Sequence, residues 1–109
     1  KFDRTQLIRV ITNLVKNAQQ AVEGEENPII DVTVLSENNN IKIIVSDNGK
    51  GIPEDVKDLI FEPKFTTKSS GMGLGLGMIK NIIEAYEGRI SFTSKEGIGT
   101  IFTVILPKE

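Results

Sequence analysis

The chain is predicted to fold as an α+β, two-layer sandwich, with helices packed on one face of a sheet. Three observations predict it: two segments whose apolar residues recur with helical period, two pairs of short segments in which apolar and polar residues alternate, and one long aperiodic stretch between the halves. The order is helix, hairpin, loop, helix, hairpin. Antiparallel strands with helices stacked on one face are the layer arrangement that buries both apolar surfaces at once.

In the first helix, apolar side chains recur at Leu7, Val10, Ile11, Leu14, Ala18, Ala21 and Val22, and Asp3 followed by Gln6 has the spacing of a capping box. Gly24 is suited to the left-handed conformation that closes a helix, so the end falls near Glu23, and Pro28 blocks continuation. Alternation from Ile30 to Leu35 and from Ile41 to Asp47, around Glu37-Asn38-Asn39-Asn40, predicts a hairpin. The stretch from Asn48 to Ser70 holds Gly49, Gly51, Pro53 and Pro63, with room for a short helix from Glu54 to Ile60. Loops of that length in compact domains usually act as lids or binding segments. Gly71, Gly73, Gly75 and Gly77 then lead into Met78, Ile79, Ile82, Ile83 and Tyr86, a second helix that Gly88 is placed to close. Arg89 to Ser94 and Thr100 to Leu106 alternate as a last hairpin around Gly97.

Composition removes several function classes. At 109 residues the chain fits one small domain. It has no cysteine, so disulfides, thiolate metal sites and cysteine nucleophiles are excluded. It has no histidine, which removes the commonest general base and any phosphoaccepting imidazole from these residues. No apolar run approaches the roughly 20 residues of a membrane span, and Lys1-Phe2-Asp3-Arg4 does not resemble the start of a secretory leader. A net charge of −2 argues against a nucleic-acid or anionic-lipid partner, while leaving room for a small anion held locally.

Three features fit the bare fold poorly. On the first helix Gln6, Asn13, Asn17 and Gln20 form one stripe between the apolar and charged faces. Asparagine within a helix costs about half a kcal/mol against alanine, so the stripe is either a polar boundary or a set of amide ligands, whose oxygens suit a hard cation such as Mg²⁺. In the strand ending at Asp47, that carboxylate continues the apolar row Ile41, Ile43 and Val45. It is either a turn residue bonded to nearby amides or the acceptor for a ligand donor such as the adenine amine. Gly71-Met72-Gly73-Leu74-Gly75-Leu76-Gly77 opens a helix, where free amides and the dipole favour phosphate. Neither the dinucleotide fingerprint nor the P-loop pattern is present in it. Lys64 and Lys68 precede it, either as solvated side chains or as cations for the outer phosphates.

Taken in order, these segments resemble the catalytic domain of sensor histidine kinases, in the superfamily that also holds gyrase, the chaperone and MutL ATPases. Asn13-Leu14-Val15-Lys16-Asn17-Ala18 resembles the N box, and Asp47-Asn48-Gly49-Lys50-Gly51 the first glycine box. Phe61-Glu62-Pro63-Lys64-Phe65-Thr66-Thr67-Lys68 resembles the F box, Gly71 to Leu76 the second glycine box, and Gly97-Ile98-Gly99-Thr100 the terminal one. The resemblance spans essentially the whole chain. It implies a Bergerat-type ATP-binding fold with a mixed, mainly antiparallel sheet and an ATP lid at roughly residues 52–72.

It also implies ATP and Mg²⁺ as cofactors. Asn17 would hold the metal with Asn13 beside it, both with Lys68 counted among the catalytic residues. Asp47 would accept from the adenine amine, Gly49, Gly51 and Ile52 would shape the base pocket, and Thr100 would sit near the base. Gln20, Thr67, Lys68 and the segment Gly71, Gly73, Leu74, Gly75 and Leu76 would complete the phosphate side. Three departures stand out: Gln20 where many members carry a basic residue, which leaves that charge to Lys68; Met72 for a threonine; and Lys64 for an aromatic. Gln20-Ala21 and Thr66-Thr67-Lys68 resemble the nitrogen-regulatory type.

As a histidine kinase catalytic domain, the chain would donate the γ-phosphate of ATP to a histidine in an upstream dimerisation segment of the same protein. A response-regulator receiver would act downstream, in a homodimer, either soluble or membrane-anchored, whose catalytic domain is cytoplasmic, with no nucleic-acid or membrane contact of its own. The first strand usual for this fold would lie upstream. Two alternatives are a degenerate module that only relays conformation and an ATP-hydrolysing clamp of the same superfamily. The clamp's N box carries a glutamate base where Asn13 stands here.

Overall fold

The computed structural model describes residues 4–61 and 74–107. Helix α1 spans Arg4–Ala21, strands β1 and β2 span Ile30–Glu37 and Asn40–Asp47, and a short 3₁₀ helix covers Glu54–Leu59. Helix α2 (Leu74–Ala85) and strands β3 (Arg89–Lys95) and β4 (Gly99–Pro107) follow. Asp3 of the expected capping box, Lys64, Thr67, Lys68, Gly71, Met72 and Gly73 lie outside the described residues, as does most of the expected lid.

The strand order is β1-β2-β4-β3, and every pairing among the described strands is antiparallel. The parallel pair that a mixed sheet implies is therefore not among them. Both expected hairpins form, and β4 inserts between β2 and β3. Helix α1 lies over β1, β2 and β4, while α2 packs beside α1 and over β3. One apolar core fills the space between the layers. Val10, Leu14 and Ala18 enter it from α1, Ile79 and Ile83 from α2, and Ile43, Val45, Phe102, Val104 and Leu106 from the sheet. The spacing of four on each helix and two on each strand is the period of the element that carries it.

Three local outcomes differ from the sequence reading. Val32 and Val34 share the core-side face of the sheet with Val45 and Ile43, their register partners, yet stay 43% and 58% exposed. The cause is position: β1 is the sheet edge, beyond the better-covered strands. Helix α2 begins at Leu74, inside the glycine run, so Gly75 and Gly77 are helical residues rather than a preceding loop. At its other end, Gly88 donates to the Ile83 carbonyl at 2.9 Å and Glu87 to Glu84 at 3.0 Å, the paired bonds of a Schellman close. The left-handed position belongs to Glu87 (φ 65°), whereas Gly88 is small because a Cβ there would meet the Ile105 carbonyl oxygen at 2.5 Å.

Candidate nucleotide-binding site

The site is built where the loop after β2 is held between α1 and the β3–β4 turn. The Lys50 N–H donates to the Ala21 carbonyl at the end of α1 (3.1 Å), and the Gly97 N–H donates to the Lys50 carbonyl (2.7 Å). Two close approaches explain the glycines beside Lys50. A Cβ on Gly49 would fall on the Ala21 carbonyl oxygen and 2.8 Å from its Cβ. A Cβ on Gly51, whose φ is 78°, would fall on the Lys95 carbonyl oxygen and 2.8 Å from the Glu96 Cα. Asn48 fastens the other side, accepting from the Ile29 N–H at 2.8 Å and donating to the Asn27 carbonyl at 2.8 Å.

Asp47 ends β2 directly opposite Thr100 of β4. A Cβ on Gly99, at φ 150°, would collide with the Asp47 carbonyl oxygen, so β4 can reach this register only with glycine there. The Asp47 carboxylate accepts the Gly49 N–H at 2.8 Å. Burial pushes its pKa above the ordinary carboxylate range, opposed by the main-chain N–H groups of Gly49 and Thr100, which draw it down. An ionisable acceptor is thus kept at the end of an apolar row, where it can bond a donor on a ligand.

Asn13, Asn17 and Gln20 lie on α1, one turn apart in succession, and all three are half-buried. The Asn17 Nδ2 is buried without a hydrogen-bond partner. Leaving a buried amide end unpaired costs about 1–3 kcal/mol, so this residue is poor as a plain boundary residue. Gln6 of the same stripe has a buried, unpartnered Oε1, but lies about three turns away and belongs to another part of the helix. No group of three histidine, cysteine, aspartate or glutamate side chains could hold a metal among the described residues. The donor set at Asn17 fits a hard cation only as an amide oxygen sharing phosphate oxygens, the mode Mg²⁺ commonly uses. At the start of α2, Leu74, Gly75 and Leu76 occupy the first turn, where main-chain amides lack helical partners and no acidic side chain competes for them.

The structure therefore brings together Asp47, Gly49, Gly51, Ile52 and Thr100, with α1 joined to them through Ala21 and Gly49. Two residues escaped the sequence reading. Ser94 receives the Ile52 N–H at 2.8 Å and lies 2.9 Å from the Thr100 hydroxyl. Lys57 of the 3₁₀ helix donates to the Ser94 carbonyl at 2.7 Å, tying the root of the loop to β3. A signal for Ser94 existed: it is the polar end of the alternating row Ile90, Phe92 and Ser94, as Asp47 is of its own row.

A two-layer sandwich with an acidic acceptor at a strand end, a glycine-clamped loop and a glycine-opened helix is the architecture of an ATP-binding domain. The family described as "Histidine kinase-, DNA gyrase B-, and HSP90-like ATPase" matches residues 2–109, and the chain belongs to it. Among curated relatives, the sensor histidine kinase ZraS of Escherichia coli (strain K12) is 45% identical over 105 residues, covering 96% of this chain and 22% of that protein. A putative sensor histidine kinase NtrY-like of Rickettsia conorii is 39% identical over 102 residues, covering 94% of this chain and 17% of its own length. The chain thus spans about a fifth of the relatives it matches. The NtrY-like relative is compatible with the expected nitrogen-regulatory type.

Among solved structures, the nucleotide-free catalytic domain of histidine kinase ThkA superposes with a TM-score of 0.84 at 38% identity, over 98% of this chain and 70% of that one. A mycobacterial sensor histidine kinase, MprB, superposes at 0.81 with 24% identity, over 96% and 74%, a likeness of fold. The chain is a histidine kinase catalytic ATPase domain, of the two-layer α/β class expected. No helix among the described residues is long and apolar enough to cross a membrane.

Proposed function

We propose that this domain binds Mg-ATP and delivers the γ-phosphate to a histidine on a separate dimerisation segment of the same protein, in two-component signalling. The observation that carries the reading is Asp47, an ionisable acceptor fixed by Gly49 at the end of β2 and opposite Thr100. There it accepts from the exocyclic amine of adenine. Gly49, Gly51 and Ile52 hold the wall of the base pocket, and the amides of Gly73 to Leu76 receive phosphate. Gln20, Thr67, Lys68 and Gly71 complete that side, and residues 52–72 form the lid of a single domain.

Phosphoryl transfer asks little covalent chemistry of the protein; it asks for in-line placement and charge stabilisation. Asn17 holds Mg²⁺ with Asn13 beside it, and the ion, when bound, neutralises charge on the phosphates. Lys68 adds the cation that Gln20 lacks. As an imidazole nitrogen bonds to the γ-phosphorus, the bond to the ADP oxygen breaks and ADP leaves. The acceptor must come from outside these residues, because the chain has no histidine. The full protein acts as a homodimer, with this domain in the cytoplasm, and passes its phosphoryl group to a response-regulator receiver.

Calorimetric titration with a non-hydrolysable ATP analogue, with and without Mg²⁺, tests the reading. The wild-type chain should bind saturably and more tightly with Mg²⁺. Asp47→Asn, which removes a charge-assisted bond, should weaken binding roughly 10- to 100-fold. Asn17→Ala should bind without responding to Mg²⁺ while losing no thermal stability. A folded wild-type chain that gives no heat and no thermal shift would favour the conformational-relay alternative instead.

A further inference from the structure

Ser94 is the meeting point of three polar contacts that bridge the loop, β3 and β4. Its Oγ lies 2.8 Å from the Ile52 nitrogen, 3.2 Å from the Gly99 carbonyl oxygen and 2.9 Å from the Thr100 Oγ1. A serine hydroxyl has one proton and two lone pairs. The Ile52 N–H can only donate and the Gly99 carbonyl can only accept, so two of the three capacities are assigned at once. If all three contacts are hydrogen bonds, the Ser94 proton goes to Gly99, and the remaining lone pair receives the proton of Thr100. The alternative, in which Ser94 donates to Thr100, leaves Gly99 without that bond and one Ser94 lone pair unused.

The consequence falls on Thr100, which is 4% exposed and stands opposite Asp47 in the register of β2 and β4. With its proton committed to Ser94, the Thr100 hydroxyl has only lone pairs left for the Asp47 side of the sheet. Asp47 is itself an acceptor. Two acceptors on directly paired residues favour a group bearing two N–H donors and oppose a carbonyl oxygen.

We propose that Ser94 is a positioning residue that fixes the Thr100 hydroxyl as an acceptor beside Asp47, so that the base site selects a purine presenting an amine over one presenting a carbonyl. The inference rests on the nucleotide-binding function proposed above. Through the Ile52 bond, Ser94 also ties the root of the loop to the same hydroxyl pair, so base selection and loop placement share one side chain.

The test is the ratio of affinities for non-hydrolysable ATP and GTP analogues, measured by competition on the wild-type chain and on Ser94→Ala, Ser94→Thr and Thr100→Val. Releasing the Thr100 proton lets it turn toward a carbonyl, so Ser94→Ala should narrow the ATP-to-GTP ratio roughly three- to tenfold, the worth of one hydrogen bond. Ser94→Thr, which keeps the hydroxyl, should recover most of the ratio, and in a Thr100→Val background Ser94→Ala should no longer change it. A merely structural role would lower both affinities equally and leave the ratio intact, which overturns the proposal while nucleotide binding stands. A folded wild-type chain that binds neither analogue overturns both. If Ser94→Ala does not fold, Ser94→Cys is read by the same ratio, since it keeps an atom at the γ position and weakens both the donor and the acceptor.

Discussion

Gly49→Ala places one methyl group where there is no room for it. The new Cβ would sit 2.5 Å from the Ala21 carbonyl carbon and on its oxygen, both main-chain atoms, against the 3.4 Å at which ordinary contact begins. The oxygen is nearer still, so the loop and the end of α1 must part by more than the 0.9 Å that would clear the carbon alone. The Lys50 N–H bond to the Ala21 carbonyl, now 3.1 Å, stretches past about 4 Å and is lost. The Gly49 N–H bond to Asp47, at 2.8 Å, is strained by the same displacement. Overpacking costs about 1–3 kcal/mol and each lost bond about 1 kcal/mol, so a total near 2–4 kcal/mol is expected. For a domain of this size that is a fall in Tm on the order of 10–20 °C.

Gly24→Ala is the matched control, since Gly24 has φ 87° but nothing within 4 Å of the added Cβ. It carries only the left-handed strain, about 1–2 kcal/mol. Thermal unfolding followed by far-ultraviolet circular dichroism should separate the two variants. ATP-analogue titration should show at least a tenfold loss for Gly49→Ala and none for Gly24→Ala. Equal melting of the two variants with equal affinity would refute the claim that close approach to α1 positions Asp47.

Two further outcomes follow from the same contacts. Because burial raises the Asp47 pKa, the folded chain keeps a proton that the unfolded chain has lost between the ordinary value of about 3.9 and the higher folded one. Wild-type stability should therefore rise as the pH falls through that window, with the full penalty above it. Asp47→Asn should melt higher than wild type at neutral pH, by a margin that shrinks on acidification; a margin independent of pH would contradict the desolvation argument. Lys57 tests which of its two bonds matters. Lys57→Ala loses a 2.7 Å bond to the Ser94 carbonyl and should cost about 1–2 kcal/mol in urea unfolding. Glu54→Ala, removing a partner that is 86% exposed, should stay within about 0.5 kcal/mol, and equal costs would mean that the ion pair carries the effect.

The sequence determined the elements and their faces by itself, since helical and strand periods are local and each buried side chain of α1 and β2 lies on the predicted row. It also picked out Asp47 and the asparagine stripe, because polar residues break those rows. What only the tertiary structure decided is which rows meet. Asp47 and Thr100 lie far apart in sequence and become neighbours because β4 inserts between β2 and β3, and alternation fixes a strand's face without naming its partner. The same holds for the glycines. Sequence marks them as permissive, but Gly49 is required by the backbone of Ala21, and Gly88 by that of Ile105, with the left-handed turn falling to Glu87. Ser94 gains its role through contacts with Ile52 and Thr100, on two other segments of the chain, and such meetings are set by packing rather than by any local pattern.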